Sequence, residues 1–307
     1  MITLRGVSKS YRSLLGGRVP AVADVTLDVA AGEVVGIAGP NGAGKTTILA
    51  MLLGFLHPTA GELAIAGMRP RAYVEQHGIA FLPELMALPK AWRVEDALRR
   101  LALLAGLAPG RAREEAARVM AMLEIGEHAR KRVKALSKGN FQRVGIAQAL
   151  LRDCSVAIFD EPTHGLDPVW TMRFRGIVRA LRKPDRTILV ASHNLDELDR
   201  LCDRVVILDH GRIQRIVNVG GASRDGGAGA FRVRVAGDAV VACRSFTGAT
   251  VLGAHEVELP PLSVEEFNTL LARALADGVQ VTGVTPRART LETEYAEAVG
   301  ASPADVA

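Results

Sequence analysis

Eight residues, Gly39-Pro-Asn-Gly-Ala-Gly-Lys-Thr46, constrain the fold of this 307-residue chain more than any other feature. They fit the pattern G-x-x-x-x-G-K-[ST] and stand between Glu33-Val-Val-Gly-Ile-Ala38, which reads as a short buried strand, and Thr46-Thr-Ile-Leu-Ala-Met-Leu-Leu53, which reads as a helix. Strand, glycine loop and helix in that order open an α/β domain. Glycines let backbone N–H groups converge on phosphate oxygens, Lys45 adds a point charge for the β- and γ-phosphates, and the Thr46 hydroxyl faces a Mg²⁺ ion. The loop is therefore read as a nucleoside-triphosphate cradle built from Gly39, Pro40, Asn41, Gly42, Ala43, Gly44, Lys45, Thr46 and Thr47.

A second motif supplies acid. Val156-Ala-Ile-Phe-Asp160-Glu161 is an apolar strand that ends in two carboxylates. Such a strand sets Asp160 at the carboxyl edge of a sheet, beside the metal, and Glu161 near an attacking water, so Asp160 is assigned as a Mg²⁺ ligand and Glu161 as general base.

Around these motifs the pattern changes along the chain. Ile2-Thr-Leu4 and Ala23–Val29 alternate like antiparallel strands about a Gly16-Gly17 turn. From Trp92 to about Leu151 the spacing is helical, with Val94, Leu98, Leu101 and Leu104 on one stripe and Ala117, Met120, Leu123 and Ile125 on another. This predicts a helical subdomain, about 92–151, inserted into the α/β core. Apolar runs at Val156–Phe159, Thr187–Ala191 and Arg204–Leu208 alternate with helical stretches at Trp170–Leu181 and Leu195–Leu201, which predicts a buried, largely parallel sheet. Residues 219–230 are rich in glycine and read as a linker that closes a 1–218 domain. Beyond it, strand-like Phe231–Val235 and Glu256–Leu259 and helix-like Val264–Ala276 and Leu291–Val299 predict a small α+β accessory domain over 231–307.

Composition narrows the function classes. The net charge is +9 over residues 1–218 and −4 over the remainder. Arginine is read as scattered among helices, so a small phosphate ligand is expected and nucleic acid is not. Cys154, Cys202 and Cys243 lack any CxxC spacing and read as buried hydrophobes in a reducing compartment. The longest apolar stretch, Ile48–Leu53, is far too short to span a bilayer, and Met1–Arg5 leads into a strand with no sign of a secretory signal.

A third motif completes a family pattern. Leu136-Ser-Lys-Gly-Asn140 resembles the LSGGQ signature and precedes the acidic strand, Gly165-Leu-Asp167-Pro resembles a D-loop, and Ala191-Ser-His193-Asn resembles a switch-histidine segment. Over about residues 2–217 the chain resembles the ATPase subunit of an ABC transporter. The resemblance implies a P-loop NTPase core with an antiparallel β subdomain and an inserted helical subdomain. It implies Tyr11 stacked on adenine, and Ser137, Lys138, Gly139 and Asn140 against the ATP of a second copy. It also implies His193 at the γ-phosphate, with Glu161 the other catalytic residue. Thr46, Asp160 and Glu84 are the implied metal set. Two departures stand out: Lys138 and Asn140 within the signature, and Glu84, in Phe81-Leu-Pro-Glu84, where most members carry glutamine. LPE and LSKG resemble the type-two branch, commonly exporters with a separate permease, and Leu291-Glu-Thr-Glu-Tyr295 resembles its closing helix.

The resemblance implies ATP and Mg²⁺ as cofactors, a homodimer, a separately encoded permease and a peripheral place on the cytoplasmic face of the membrane. Leu85, Met86, Leu88 and Trp92 then offer apolar area to a permease helix. The rival readings are a soluble ATP switch of the same superfamily acting on DNA or ribosomes, and a regulatory ATPase gated by a ligand on its tail.

Overall fold

A computed structural model of the chain describes residues 1–12, 16–219, 229–287 and 291–300. The chain divides into two units, Met1–Asn218 and Val219–Ala307. In the first, the elements run β1 (Ile2–Arg12), β2 (Arg18–Val29), β3 (Val34–Ala38), α1 (Lys45–Leu52), β4 (Ala60–Ile65), α2 (Pro70–His77), β5 (Ala80–Leu82) and α3 (Val94–Leu104). They continue through α4 (Pro109–Met122), α5 (Lys138–Ala149), β6 (Val156–Asp160), α6 (Pro168–Leu181), β7 (Thr187–Ala191), α7 (Leu195–Leu201), β8 (Arg204–Asp209) and β9 (Arg212–Asn218).

Six strands form one sheet in the order β5-β6-β7-β3-β8-β9, with every neighbouring pair parallel except β8 and β9. All five residues of β3, β6 and β7 are buried, which is why these strands read as apolar runs without alternation. A second sheet, β2-β1-β4, is antiparallel and does alternate, turning Val25, Leu27 and Val29 inward. Those side chains share one core with Ile2, Leu4, Leu49, Met51 and Leu52, so α1 is clamped between the two sheets. The fold is that of a P-loop NTPase with an antiparallel β subdomain and a helical insertion.

The insertion is helical as expected, but its packing stripe differs. In α3 the buried residues are Val94, Ala97, Leu98 and Ala102, while Leu104, at the last turn, is 80% exposed. In α4 they are Ala112, Ala116 and Val119, and Ala117 faces out. Ala117 lies about 140° round the helix from Ala112, so small alanines rather than the larger side chains let α3 and α4 approach.

The second unit, described by itself, holds β10 (Gly229–Val235), α8 (Ala239–Ala242), β11 (Thr250–Gly253), β12 (Glu256–Leu262), α9 (Val264–Ala276), β13 (Val281–Arg287) and α10 (Leu291–Val299). Its antiparallel sheet has the order β11-β12-β10-β13. Phe231 of β10 stacks on Phe267 of α9 with ring centroids 3.9 Å apart, and Val233, Val257 and Leu259 complete the core. A capping box between Ser263 and Glu266 starts α9. Of the stretch read as linker, residues 220–228 lie outside the described residues. Gly229 and Ala230 are not linker but the start of β10, with Gly229 opposite Leu262 and Ala230 opposite Arg287. A glycine-rich composition marks permissive backbone, and here the neighbouring strands capture it.

Candidate nucleotide-binding and hydrolysis site

Strand register gathers the site. Ile37 of β3 and Asp160 of β6 both pair with Ala191 of β7, so Gly39, Glu161 and Ser192 leave the sheet at one carboxyl edge. Two loop glycines are required by close approach. A Cβ added at Gly39 would stand 2.4 Å from the Leu208 carbonyl oxygen. One at Gly44 would stand 2.5 Å from that of Ala21, at a φ of +105°. Between them Gly42 meets nothing within 4 Å and faces open space. Gly44 is also the N-cap of α1 and offers no side chain to it, so the first-turn N–H groups have no helical acceptor. These groups fit a phosphate chain. Lys45 Nζ donates to the carbonyl oxygens of Gly39 (2.6 Å) and Pro40 (3.2 Å), which parks the ammonium at the mouth of the loop.

The carboxylates lie opposite. Burial, then the charges of Glu84 and Glu161, push Asp160 up to about 6, with Lys45 acting the other way. Glu84 reaches this place because β5 pairs with β6, Leu82 beside Phe159. Crowded acids with Lys45 as the opposing charge are a donor set that fits a divalent cation. Among the described residues no three His, Cys, Asp or Glu side chains converge as a ready cage. That suits Mg²⁺, which leans on substrate phosphates and water and takes only one or two protein oxygens. Thr46, exposed at the start of α1, and Asp160 carry oxygens that could hold it.

Glu161 has a left-handed backbone, φ +47°, rare for a residue with a side chain. It is held there by its N–H bond to the Ala191 carbonyl (2.9 Å) and by Gln142 of α5, whose Nε2 donates to the carbonyls of Glu161 (3.3 Å) and Pro162 (2.9 Å). Its carboxylate is fully engaged. Oε1 accepts the His193 backbone N–H (2.9 Å) and lies 2.9 Å from His193 Nδ1, and Oε2 accepts the Ser192 hydroxyl (3.2 Å). The His193 side chain is 67% exposed.

The signature-like segment sits at the start of α5. Ser137 is the N-cap, its hydroxyl accepting the Asn140 N–H at 3.3 Å. Asn140 is turned inward: Nδ2 lies 2.7 Å from His128 Nε2, and Oδ1 accepts from Arg143 Nη1 at 2.9 Å. Arg143 also donates to the Leu123 carbonyl and stacks 3.7 Å over Trp170. Lys138 Nζ lies 2.7 Å from His164 Nε2, and its methylenes cover Gly165 of the D-loop. Ser137, Gly139, Gly165 and Asp167 line an open cleft between α5 and α6. Asp167 also caps α6, accepting the Trp170 N–H at 2.9 Å. Tyr11 of β1 stays 41% exposed beside Val19 of β2, two residues, about 7 Å, from the Ala21 carbonyl that abuts Gly44.

The structure thus brings Lys45, Glu84, Asp160, Glu161 and His193 to one edge, and sets Ser137, Gly139 and Asn140 on a separate cleft, with Lys138 against His164. Sequence reasoning missed Gln142, Ser192 and His128. Gln142 shares its helix with Lys138, Asn140, Arg143 and Gln148, so no local pattern singles it out.

Residues 22–164 match the family model described as ABC transporter. The ABC transporter ATP-binding protein NatA of Bacillus subtilis is 34% identical over 217 residues, 69% of this chain and 87% of that protein. The chain belongs to the ABC transporter ATP-binding proteins. Another relative, Nod factor export ATP-binding protein I of Mesorhizobium japonicum, is 35% identical over 216 residues, 69% of this chain and 61% of its own length. Among solved structures, a dimeric ATP-binding cassette in a post-hydrolysis state with ADP and Pi superposes with TM-score 0.66 at 24% identity, covering 72% of this chain and 100% of that one. This ABC ATP-binding protein is an ATP hydrolase, and its fold is that of the cassette. Among the described residues no helix is long and apolar enough to cross a membrane.

Proposed function

We propose that this chain is the ATP-hydrolysing subunit of an exporter whose membrane permease is a separate chain, and that it works as a homodimer on the cytoplasmic face of the membrane. One observation carries the reading: a phosphate loop, two buried acids and a histidine share one sheet edge, while the signature-like helix start lies on a different cleft of the same unit. A site divided in this way is completed by a second copy, with Ser137 and Gly139 of each facing the nucleotide on the other. The dimeric cassette of like fold supports that arrangement, and the Nod factor export relative supports the direction of transport.

Within the site the N–H groups of Gly42 to Thr47 hold the β- and γ-phosphates, and Lys45 exchanges two loop carbonyls for phosphate oxygens. Tyr11 stacks on adenine. Glu161 orients a water and takes its proton as the water oxygen bonds to the γ-phosphorus and the β–γ bridging bond breaks, giving ADP and phosphate. For this the Oε1 of Glu161 must be released by the His193 ring, which is exposed and free to turn to the γ-phosphate. Thr46, Asp160 and Glu84 would hold Mg²⁺, which would supply charge neutralisation on the phosphates. Loss of the γ-phosphate removes the contacts that close the dimer, and Leu85, Met86, Leu88 and Trp92 are placed to pass the motion to a permease helix. Steady-state turnover of ATP by the purified chain, with Lys45→Ala as the comparison, tests the reading: full activity in the variant would end it.

A further inference from the structure

Arginine and lysine are not simply scattered over helices. Arg130-Lys-Arg-Val-Lys134 carries four cations in five residues and lies outside any α-helix. Its place was hidden because its partner segment is 40 residues away. Backbone bonds from Val94 to the Lys131 carbonyl (3.1 Å), Val133 to Trp92 (2.9 Å) and Lys134 to Lys90 (3.2 Å) zip residues 90–94 against 131–134, and Arg93 stands directly opposite Arg132. Six exposed cations, Lys90, Arg93, Arg130, Lys131, Arg132 and Lys134, are thereby set on one backbone scaffold. Three neighbouring acids are engaged elsewhere, Asp96 with Arg99, Glu124 with Arg173 and Glu127 with His128, which leaves Glu95, among the described residues, as the one carboxylate next to the scaffold. Among the described residues no carboxylate lies within 4.0 Å of any of the six. Like charges directly opposite across a bridge oppose folding, and an external anion relieves them.

The geometry points to an anionic phospholipid surface as the partner of this patch. Every one of the six is a solvent-exposed side chain, which suits a diffuse, multivalent surface rather than a single compact anion. Leu85, 87% exposed, and Trp92, read above as facing a permease helix, lie on the same stretch as Lys90 and Arg93, so the patch borders that contact. Trp92 is already covered by the Arg100 guanidinium at 4.7 Å, which leaves a poor platform for a stacked base and disfavours single-stranded nucleic acid. The inference rests on the reading of the chain as a subunit docked to a membrane permease. It adds that the chain itself grips the headgroups beside that permease.

The test is co-sedimentation of the full chain with vesicles of phosphatidylcholine, with and without about one third phosphatidylglycerol. The native chain should prefer the anionic vesicles, and the preference should collapse between about 0.1 M and about 1 M salt as the screening length falls from about 10 Å to about 3 Å. Arg93→Gln/Lys131→Gln/Arg132→Gln/Lys134→Gln should lose roughly 600-fold in vesicle affinity, since each basic residue near such a surface contributes about fivefold. The charge-matched control Arg71→Gln/Arg111→Gln/Arg113→Gln/Arg179→Gln should lose far less, and Arg93→Lys/Arg132→Lys should retain binding. Equal losses in the two quadruple variants, or a duplex or single-stranded oligonucleotide that outcompetes the vesicles, overturns the patch. ATP turnover is read in the same samples. A chain that turns over ATP without preferring anionic vesicles overturns the patch alone, and one with the preference but no turnover overturns the catalytic reading alone.

Discussion

The Glu161 carboxylate is held by His193 at two points, the backbone N–H and ring Nδ1, each 2.9 Å from Oε1. One contact comes from the chain at the end of β7 and is fixed; the other belongs to an exposed ring and is exchangeable. In the proposed mechanism base and switch are therefore one unit: the ring would not turn to a phosphate without freeing an oxygen of Glu161.

Glu161→Gln keeps the Ser192 and His193 backbone bonds in reach but removes the base. Turnover should fall by about 10²–10⁴-fold while ATP still binds. With ATP the variant should elute as a dimer in size-exclusion chromatography; monomers alone under saturating ATP would contradict the shared site.

His193→Ala should separate the two contacts. The exposed ring contributes little packing, so the melting temperature should stay within a few degrees, while kcat drops by roughly 100-fold, the loss expected when one donor to developing charge is removed. A loss confined to KM would show that His193 only binds nucleotide.

Asp160 gives a pH signature. Its carboxyl is raised to about 6, so from the ordinary carboxylate range up to pH 6 the native state holds a proton that the unfolded chain has released. Stability of the nucleotide-free protein then falls as pH rises through this window, and the cost is present in full above it. Asp160→Asn should leave the melting temperature nearly unchanged at pH 4, raise it at pH 8, and abolish Mg²⁺-dependent turnover. Parallel melting profiles for the two proteins across that range would show that the crowding is relieved in another way.

Gly44→Ala forces a Cβ against the Ala21 carbonyl at a left-handed φ. A destabilisation of about 1–3 kcal/mol is expected from the backbone strain, with loss of ATP binding. Arg143→Met should cost about 3 kcal/mol, because the Leu123 and Glu124 carbonyls and Asn140 Oδ1 lose their donor. Urea unfolding measures both.

Much of the site was legible because its motifs are local. Gly39–Thr46 announces a strand, loop and helix within a few residues, and the all-buried runs of β3, β6 and β7 announce a parallel sheet. Other features rest on pairs far apart in sequence. Asn140 lines the cleft between α5 and α6 while bonded to His128 and Arg143, and Lys138 lies against His164; neither distance is written in the order of residues. The helical stripe misplaced Ala117 and Leu104 because small alanines set the packing face, which apolar periodicity alone does not weigh.

The sequence by itself determined the phosphate loop, the acidic strand, the ABC family and the chain order of helices and strands, since each depends on residues within one turn or one strand of each other. Only the tertiary structure decided that Glu161 and His193 share an oxygen, that Glu84 and Glu161 crowd Asp160, and that Arg93 faces Arg132. Strand register and backbone pairing fix those distances, and they are set when segments 30 to 80 residues apart bury their apolar faces together.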